Sequence, residues 1–466
     1  MLETIRNEPA SVTTAQFIRH FQEDRMRPCF PLILIGASLL IGDVASAQER
    51  EKKVRNDRQA VEEAGYWIYN DLPRGFAEAK KSGKPLLVAL RCIPCEACAQ
   101  LDAQIVDRDP VVRKLLDQFV CVRIVQANGL DLSLFQYDYD QSFAAFFLNA
   151  DGTIYGRFGT RSHETESARD VSVEGFAQAL AGALGIHQTF RGKEPELLAK
   201  RGPAPQVAVP EEFPSLKGRY TAALDYQGNV VKSCIHCHQV GEALRLVYRE
   251  SGKPIPDQVL FPYPLPDVVG LTLDPKERAR VAAVAAGSSA EKDGYKTGDK
   301  LSSLAGQPLL SIADVQWVLH NAGDTGSLKA QVLRDGKTIE LPLTLESGWR
   351  RRGNISWRAT SWDLRRMTTG GMRLDDLPAD TRRTAELAED VLALRARHVG
   401  EYGAHAAAKN AGFIKGDVLI EIEGSSQHRT ESQLMAWLAN AKRPGDRIPV
   451  VVLRDGNRIK LELPMQ

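Results

Sequence analysis

Between residues 67 and 185 apolar runs alternate with amphipathic ones. "RGFAEAKKSG" has helical spacing, "PLLVALR" reads as a buried strand, one helix is expected to start near Cys95, and another around "PVVRKLLDQ". The strands "FVCVRIV", "SFAAFFLN" and "TIYGRFG" follow, the last two joined by the turn Ala150-Asp151-Gly152, and "VEGFAQALAGAL" closes the region as a helix. The pattern predicts a mixed β/α domain over residues 66–186. Residues 49–65 are strongly charged and read as an exposed lead-in. Prolines at 195, 203, 205, 210 and 214, with little hydrophobic periodicity, predict a linker over 187–216. A short segment, 217–265, carries "KSCIHCHQV" and closes on "FPYPLPD".

A repeat follows. "GYKTGDKLSSLAGQPL" matches "GFIKGDVLIEIEGSSQ", and "VLRDGKTIEL" matches "VLRDGNRIKL" about 120 residues later. In each copy a Gly-Asp turn feeds a strand, a helix follows ("SIADVQWVLHNA" and "TESQLMAWLANA"), and an Arg-Asp-Gly hairpin leads into the last strand. Two copies are too few for a solenoid, so tandem domains are expected at 266–346 and 378–466. The stretch between them, 347–377, holds Trp349, Trp357 and Trp362 among arginines and reads as a connector that arginine stacking on tryptophan stiffens.

The chain of 466 residues is long enough for about three domains. Its 60 lysines and arginines balance 59 aspartates and glutamates, so no overall field draws nucleic acid or an anionic membrane. "RMRPCFPLILIGASLLIGDVASAQE" has a basic start, an apolar run from Phe30 to Ile41 and small residues at Ala45-Ser46-Ala47, the layout of a secretory signal peptide over 26–47. Met26 sits where such a peptide begins, so residues 1–25 read as a misread upstream start. The run is shorter than the roughly 20 apolar residues a bilayer span needs, and no integral span is expected after cleavage. A periplasmic or secreted location is therefore expected. Of seven cysteines only Cys29 precedes the cleavage point, and outside the cytoplasm the others are candidates for disulfides, redox pairs or cofactor attachment.

Residues 66–184 resemble the thioredoxin fold, closest to thioredoxin-like proteins with "KP-strand-CxxC-xxLD" at the site, here "KPLLVALRCIPCEACAQLD". The resemblance places Cys95 as nucleophile and Cys98 as resolving cysteine, with Cys92 outside the pair as a third thiol. The physical reading agrees: a cysteine in a helix's first turn faces unpaired N–H groups that stabilise its thiolate, and one three residues on reaches a mixed disulfide. Pro94 stands where thioredoxins carry tryptophan, and Ser142 near the position of their cis-proline. Cys121, in "FVCVRIV", is expected in the core.

The two repeats resemble PDZ domains of the bacterial protease-associated type, which bind an extended peptide as an added strand. The resemblance implies a carboxylate-receiving loop at "VVGLTLD", with Gly270 and Leu271, in the first copy; in the second, "VLALRARHVGEYG" offers no clear glycine-hydrophobic loop. No G-x-S-x-G serine context accompanies them, so recognition modules are expected rather than protease parts. "SCIHCHQV" matches C-x-x-C-H, the c-type haem attachment signature, with thioethers at Cys234 and Cys237 and His238 on iron. No methionine lies between Cys237 and Pro266 as a sixth ligand. A Cys234–Cys237 disulfide and a Cys2His2 zinc cluster with His236 and His238 compete with it.

The whole arrangement resembles a bacterial family of thioredoxin-like/PDZ proteins, found notably in planctomycetes, some members of which contain selenocysteine. The expected architecture is multidomain α/β and α+β: a thioredoxin-like domain, a short C-x-x-C-H segment and two PDZ-like domains. The expected function is thiol-disulfide redox chemistry at Cys95, Cys98 and Cys92, with protein or peptide partners held by the PDZ-like domains. The alternatives are a non-enzymatic peptide-binding adaptor and a c-type haem electron-transfer protein.

Overall fold

This computed structural model describes residues 36–91, 93, 109–163, 169–192 and 194–466, with side chains from residue 48. The chain divides after Glu49 into Met1–Glu49 and Arg50–Gln466. Helix α1 (Gly36–Ala64) is described from its backbone up to residue 47. Of the expected signal peptide, residues 26–35 lie outside the described residues, and 36–47 are described by their helical backbone alone. No helix among those described is long and apolar enough to cross a membrane.

The first sheet has the order β1 (Ile68–Tyr69), β3 (Val120–Ile124), β2 (Leu86–Arg91), β4 (Phe143–Leu148), β5 (Ile154–Phe158). The first three strands are parallel, and β4 and β5 run antiparallel at the other side. Strand β2 is buried at every position. Its alternate side chains explain why: Leu87 and Ala89 enter one core, while Leu86, Val88 and Leu90 enter another on the opposite face. Helix α2 (Leu72–Ser82) lends Ala79 to the second core. Helices α3 (Pro110–Leu116) and α4 (Val173–Thr189) cover the first face through Val112, Leu116, Phe176 and Leu180. Each start is capped: Asp109 accepts from Val111 and Val112 N–H at 2.8 and 2.9 Å, and Ser172 from Gly175 N–H at 2.9 Å.

The opposite face shows where the residues after 186 go. Phe213 and Leu216, from the stretch expected as a linker, lie in its core, and Leu132 N–H donates to Ala208 C=O at 3.0 Å. The prolines break helical periodicity, yet the stretch they leave, with single turns of helix at Pro195–Leu198 and Pro210–Glu212, is packed, because its few apolar residues cover the sheet. Two helices continue that layer: α5 (Val230–Ser233) and α6 (Cys237–Glu250). Ile235, Val240 and Ala243 bury against the same face. The C-x-x-C-H segment is therefore part of the first domain's covering layer.

Each repeat combines antiparallel strands with one long helix, as a four-stranded sheet and a separate two-stranded pair in the first and as one five-stranded sheet in the second. The first comprises β6 (Leu271–Leu273), β7 (Val281–Val284), β8 (Lys300–Leu304), β9 (Gln307–Pro308), helix α7 (Ile312–Asn321), β10 (Gly326–Arg334) and β11 (Lys337–Leu345). Helix α8 (Ser361–Thr369) leads into the second, made of β12 (Met372–Asp376), β13 (Leu394–Val399), β14 (Val418–Ile422), helix α9 (Glu431–Ala441), β15 (Arg447–Arg454) and β16 (Asn457–Pro464). The second sheet thus begins at Met372, inside the stretch 347–377 expected as a connector. The matched sequence has a common cause. Arg334 grips Asp299 with two bonds at 2.6 and 2.7 Å and Gly294 C=O at 2.8 Å; Arg454 grips Asp417 at 2.7 and 2.8 Å and Gly412 C=O at 2.8 Å. The Asp-Gly pairs after each arginine sit at positive φ, 51° and 76° in one and 50° and 78° in the other, as a two-residue hairpin turn requires.

Candidate functional site

The parallel strands of the first sheet end at Arg91, and the cysteine run follows. Cys92, Cys95 and Cys98 lie outside the described residues. Ile93, between them in sequence, is buried with Val54, Val125 and Val230, the last on α5. Arg91 and Arg123, on adjacent strands, bring guanidinium nitrogens to 3.6 and 3.8 Å from Asp57 of α1. Opposite, Ser142 precedes β4, and its hydroxyl accepts from Arg161 at 3.1 Å. No cis peptide occurs among the described residues. Cys121 is buried beneath α3, and burial pushes its thiol up to about 12, away from any nucleophilic role.

The second cysteine motif is placed by the loop after β3. Asn128 accepts from Ile235 N–H at 2.7 Å and donates to Ser233 C=O at 2.9 Å, while Ala127 N–H donates to Ile235 C=O at 2.9 Å. Glu51 caps α5 by accepting from Val230 and Val231 N–H. Cys237 opens α6 with its thiol turned inward, accepting from Tyr137 Oη at 3.1 Å. Burial raises its pKa against the hydrogen bonds from Tyr137 Oη and its own backbone N–H. The rings of His236 and His238 stack at 5.6 Å, and burial lowers both, His236 to about 4.

These residues do not fit a covalently attached haem as they stand. A thioether at Cys237 needs a macrocycle edge where Tyr137 now lies, and Ile235, between the cysteines, is wholly buried in the core. The Cys2His2 grouping does not converge either: among the described residues no three His, Cys, Asp or Glu side chains meet as a metal site.

The repeats present strand edges. In the first, a one-turn helix at Pro266–Val269 ends on Gly270, whose φ of 93° and whose approach to Ser288 (a Cβ would stand 2.1 Å from its Oγ) both demand glycine. Ala285 N–H donates to Gly270 C=O and Asp274 N–H to Arg280 C=O, so residues 270, 272 and 274 face β7. Leu271 and Leu273 therefore turn their backbone groups outward. The second repeat reproduces this with residues that sequence reading missed. Gly371, at φ 86° and packed on His405 C=O, precedes Met372, Arg373, Leu374 and Asp375. "GMRLD" is the counterpart of "GLTLD", a match hidden because "VLALRARHVGEYG", where the loop was sought, is the next strand, β13. Gly400 N–H donates to Gly371 C=O and Leu377 N–H to Ala393 C=O, which turns Met372 and Leu374 outward.

The groove between β6 and α7 lies against the first domain. Every residue from 312 to 319 of α7 is buried. Asp314 accepts from Arg157 N–H on edge strand β5 at 3.2 Å, and Ser311 donates to Arg157 C=O at 2.6 Å. Lys200, completely buried, closes on Asp314 at 2.8 Å, and Trp317 Nε1 donates to Ala199 C=O at 3.2 Å. Phe158, Thr160, Val171 and Pro275 leave a space of only about 10 Å3 beside Ile312 and Ala313. Strand register fixes which end of the first sheet this is. Arg91 pairs with Phe143 and Ala145 with Phe158, so the groove docks at the end where the cysteine run leaves β2.

A family model described as thioredoxin-like matches residues 67–150, spanning the cysteine run. A probable periplasmic serine endoprotease, DegP-like, of Marinomonas sp. (strain MWYL1) is 27% identical over 184 residues, 40% of this chain and 36% of that protein. The periplasmic pH-dependent serine endoprotease DegQ of Escherichia coli (strain K12) is 36% identical over 75 residues, 16% of each chain. The chain spans about a third of the length, or less, of these curated relatives. Among solved structures, an HtrA-type protease AlgW with decapeptide is similar at 17% identity with a TM-score of 0.19, over 30% of this chain and 44% of that one. The family model supports a thioredoxin-like domain, and the curated relatives support PDZ-like repeats beside it.

Proposed function

We propose that the chain is an exported thiol-disulfide redox protein in which Cys95 attacks, Cys98 resolves and Cys92 passes the disulfide on. The first PDZ-like repeat brings a partner peptide to it. The observation that carries this reading is register: the cysteine run leaves β2 at the sheet end that receives the groove of the first repeat, two strands away. Two strand spacings amount to about 10 Å. The docked first domain fills the groove beside Gly270 and Leu271, so a peptide would pair along β6 only as α7 leaves β5, raising the partner's effective concentration at the cysteines to the order of millimolar.

In the exchange, a Cys95 thiolate attacks a partner disulfide and expels one partner sulfur as thiolate. Cys98 then attacks the mixed disulfide, releasing the second sulfur and leaving a Cys95–Cys98 disulfide; two electrons pass to the partner. Insulin reduction by the full chain tests this. Activity is expected in the parent and loss of it in both Cys95→Ser and Cys98→Ser; variants as active as the parent would overturn the reading.

A further inference from the structure

The two repeats differ at the edge where an incoming strand pairs. In the second, two of the outward groups that follow the glycine loop, one carbonyl and one N–H, are already taken. Thr369 Oγ1 donates to Met372 C=O at 2.7 Å, and Leu374 N–H donates to the Glu431 carboxylate at 2.8 Å. Glu431 is the first residue of α9 and is 3% exposed. Arg365 of α8, 1% exposed, holds it with two bonds, Nε to Oε1 at 2.9 Å and Nη2 to Oε2 at 2.7 Å, and donates to Ser356 C=O at 2.7 Å. Helix α8 packs on both α9 and β12, so the plug is backed by a whole element.

A carboxylate oxygen at Leu374 stands where the carbonyl of an added strand would accept. An incoming peptide must displace it and strand two buried charges. In the first repeat the matching helix position is Ile312, which has no carboxylate to offer. Among the described residues no side chain bonds the outward groups of Leu271 or Leu273.

We infer that the second repeat is closed to strand addition by an internal ligand, Glu431 clamped by Arg365, and that peptide recruitment falls to the first repeat alone. The second clause rests on the recruitment reading above; the first does not.

The full chain is exposed to a pool of decapeptides with free C-termini and a benzophenone side chain three residues from the end, irradiated, and mapped by mass spectrometry. Label is expected around residues 265–273 and none over 369–376. In Arg365→Leu/Glu431→Ile, which removes both charges together, label is expected to appear over 369–376. Label there in the parent, or its absence in the folded double variant, overturns the closure. Absence of label on the first repeat, with gain on the second in the variant, overturns recruitment and leaves the closure standing. Amide exchange in the parent decides the matter if the variant does not fold: Leu374 is expected to exchange at least about tenfold more slowly than Leu273, and equal rates overturn the closure.

Discussion

The first and second repeats share a Gly-Asp turn, an arginine clamp and an Asp-Gly hairpin, but they spend their long helices differently. In the first, Ser311 and Asp314, the cap and third residue of α7, reach out to Arg157 on the edge strand of the neighbouring sheet. In the second, Thr430 and Gln433 at the same positions cap their own helix reciprocally, and Glu431 turns inward to β12. Two helices of one pattern thus protect two different strand edges, one in another domain and one in their own. The residues that decide this are polar and sit at the cap and in the first turn.

The comparison breaks most sharply at the third helix residue. Asp314→Ala leaves Lys200 buried without its partner, and chemical denaturation should show a loss of about 3–5 kcal/mol. Gln433→Ala removes half of a capping box and should cost about 0.5–1 kcal/mol. Similar losses at both positions would mean that α7 is not the pillar between domains that its burial indicates.

A smaller effect separates the two junctions with the first domain. The first repeat attaches through the Lys200–Asp314 pair, whereas the stretch leading to the second attaches through Arg358, bonded to Asp138 and, at 3.3 Å, to Asp140, with Thr360 and Arg245 alongside. Glu242, on α6 at this cluster, is raised from an ordinary 4.5 to about 7, mainly by burial, with Asp363 and Asp140 adding to it and Arg245 and Arg366 opposing. Its folded-state pKa exceeds the unfolded one, so the folded chain holds the extra proton between these values. Stability should fall as pH rises from about 4.5 through 7. Thermal denaturation of Glu242→Gln across that range should show a flatter profile; an unchanged slope would remove Glu242 as its source.

Much of the architecture was legible in the sequence. The unbroken apolar runs in "PLLVALR" and "SFAAFFLN" mark strands buried on both faces, and the Gly-Asp and Arg-Asp-Gly matches mark the repeats because one ion pair links them. What escaped was long-range. The proline-rich stretch around Lys200 looks like a linker because its partners, Asp314 and Arg157, are distant in sequence. "GGMRLDD" was hidden behind tryptophans and arginines whose roles are contacts: Arg350 stacks over Trp349, and Arg358 over Trp357. The C-x-x-C-H spacing read as an attachment site, but only the fold shows that Tyr137 occupies the space beside Cys237.

The measurement that bears most directly on the central claim is a reduction assay with one disulfide-bonded peptide in two forms, free and amidated at the C-terminus. Capture by the first repeat predicts several-fold faster reduction of the free-carboxylate form, lost in Cys95→Ser. Equal rates for the two forms, or undiminished reduction by Cys95→Ser, would contradict it.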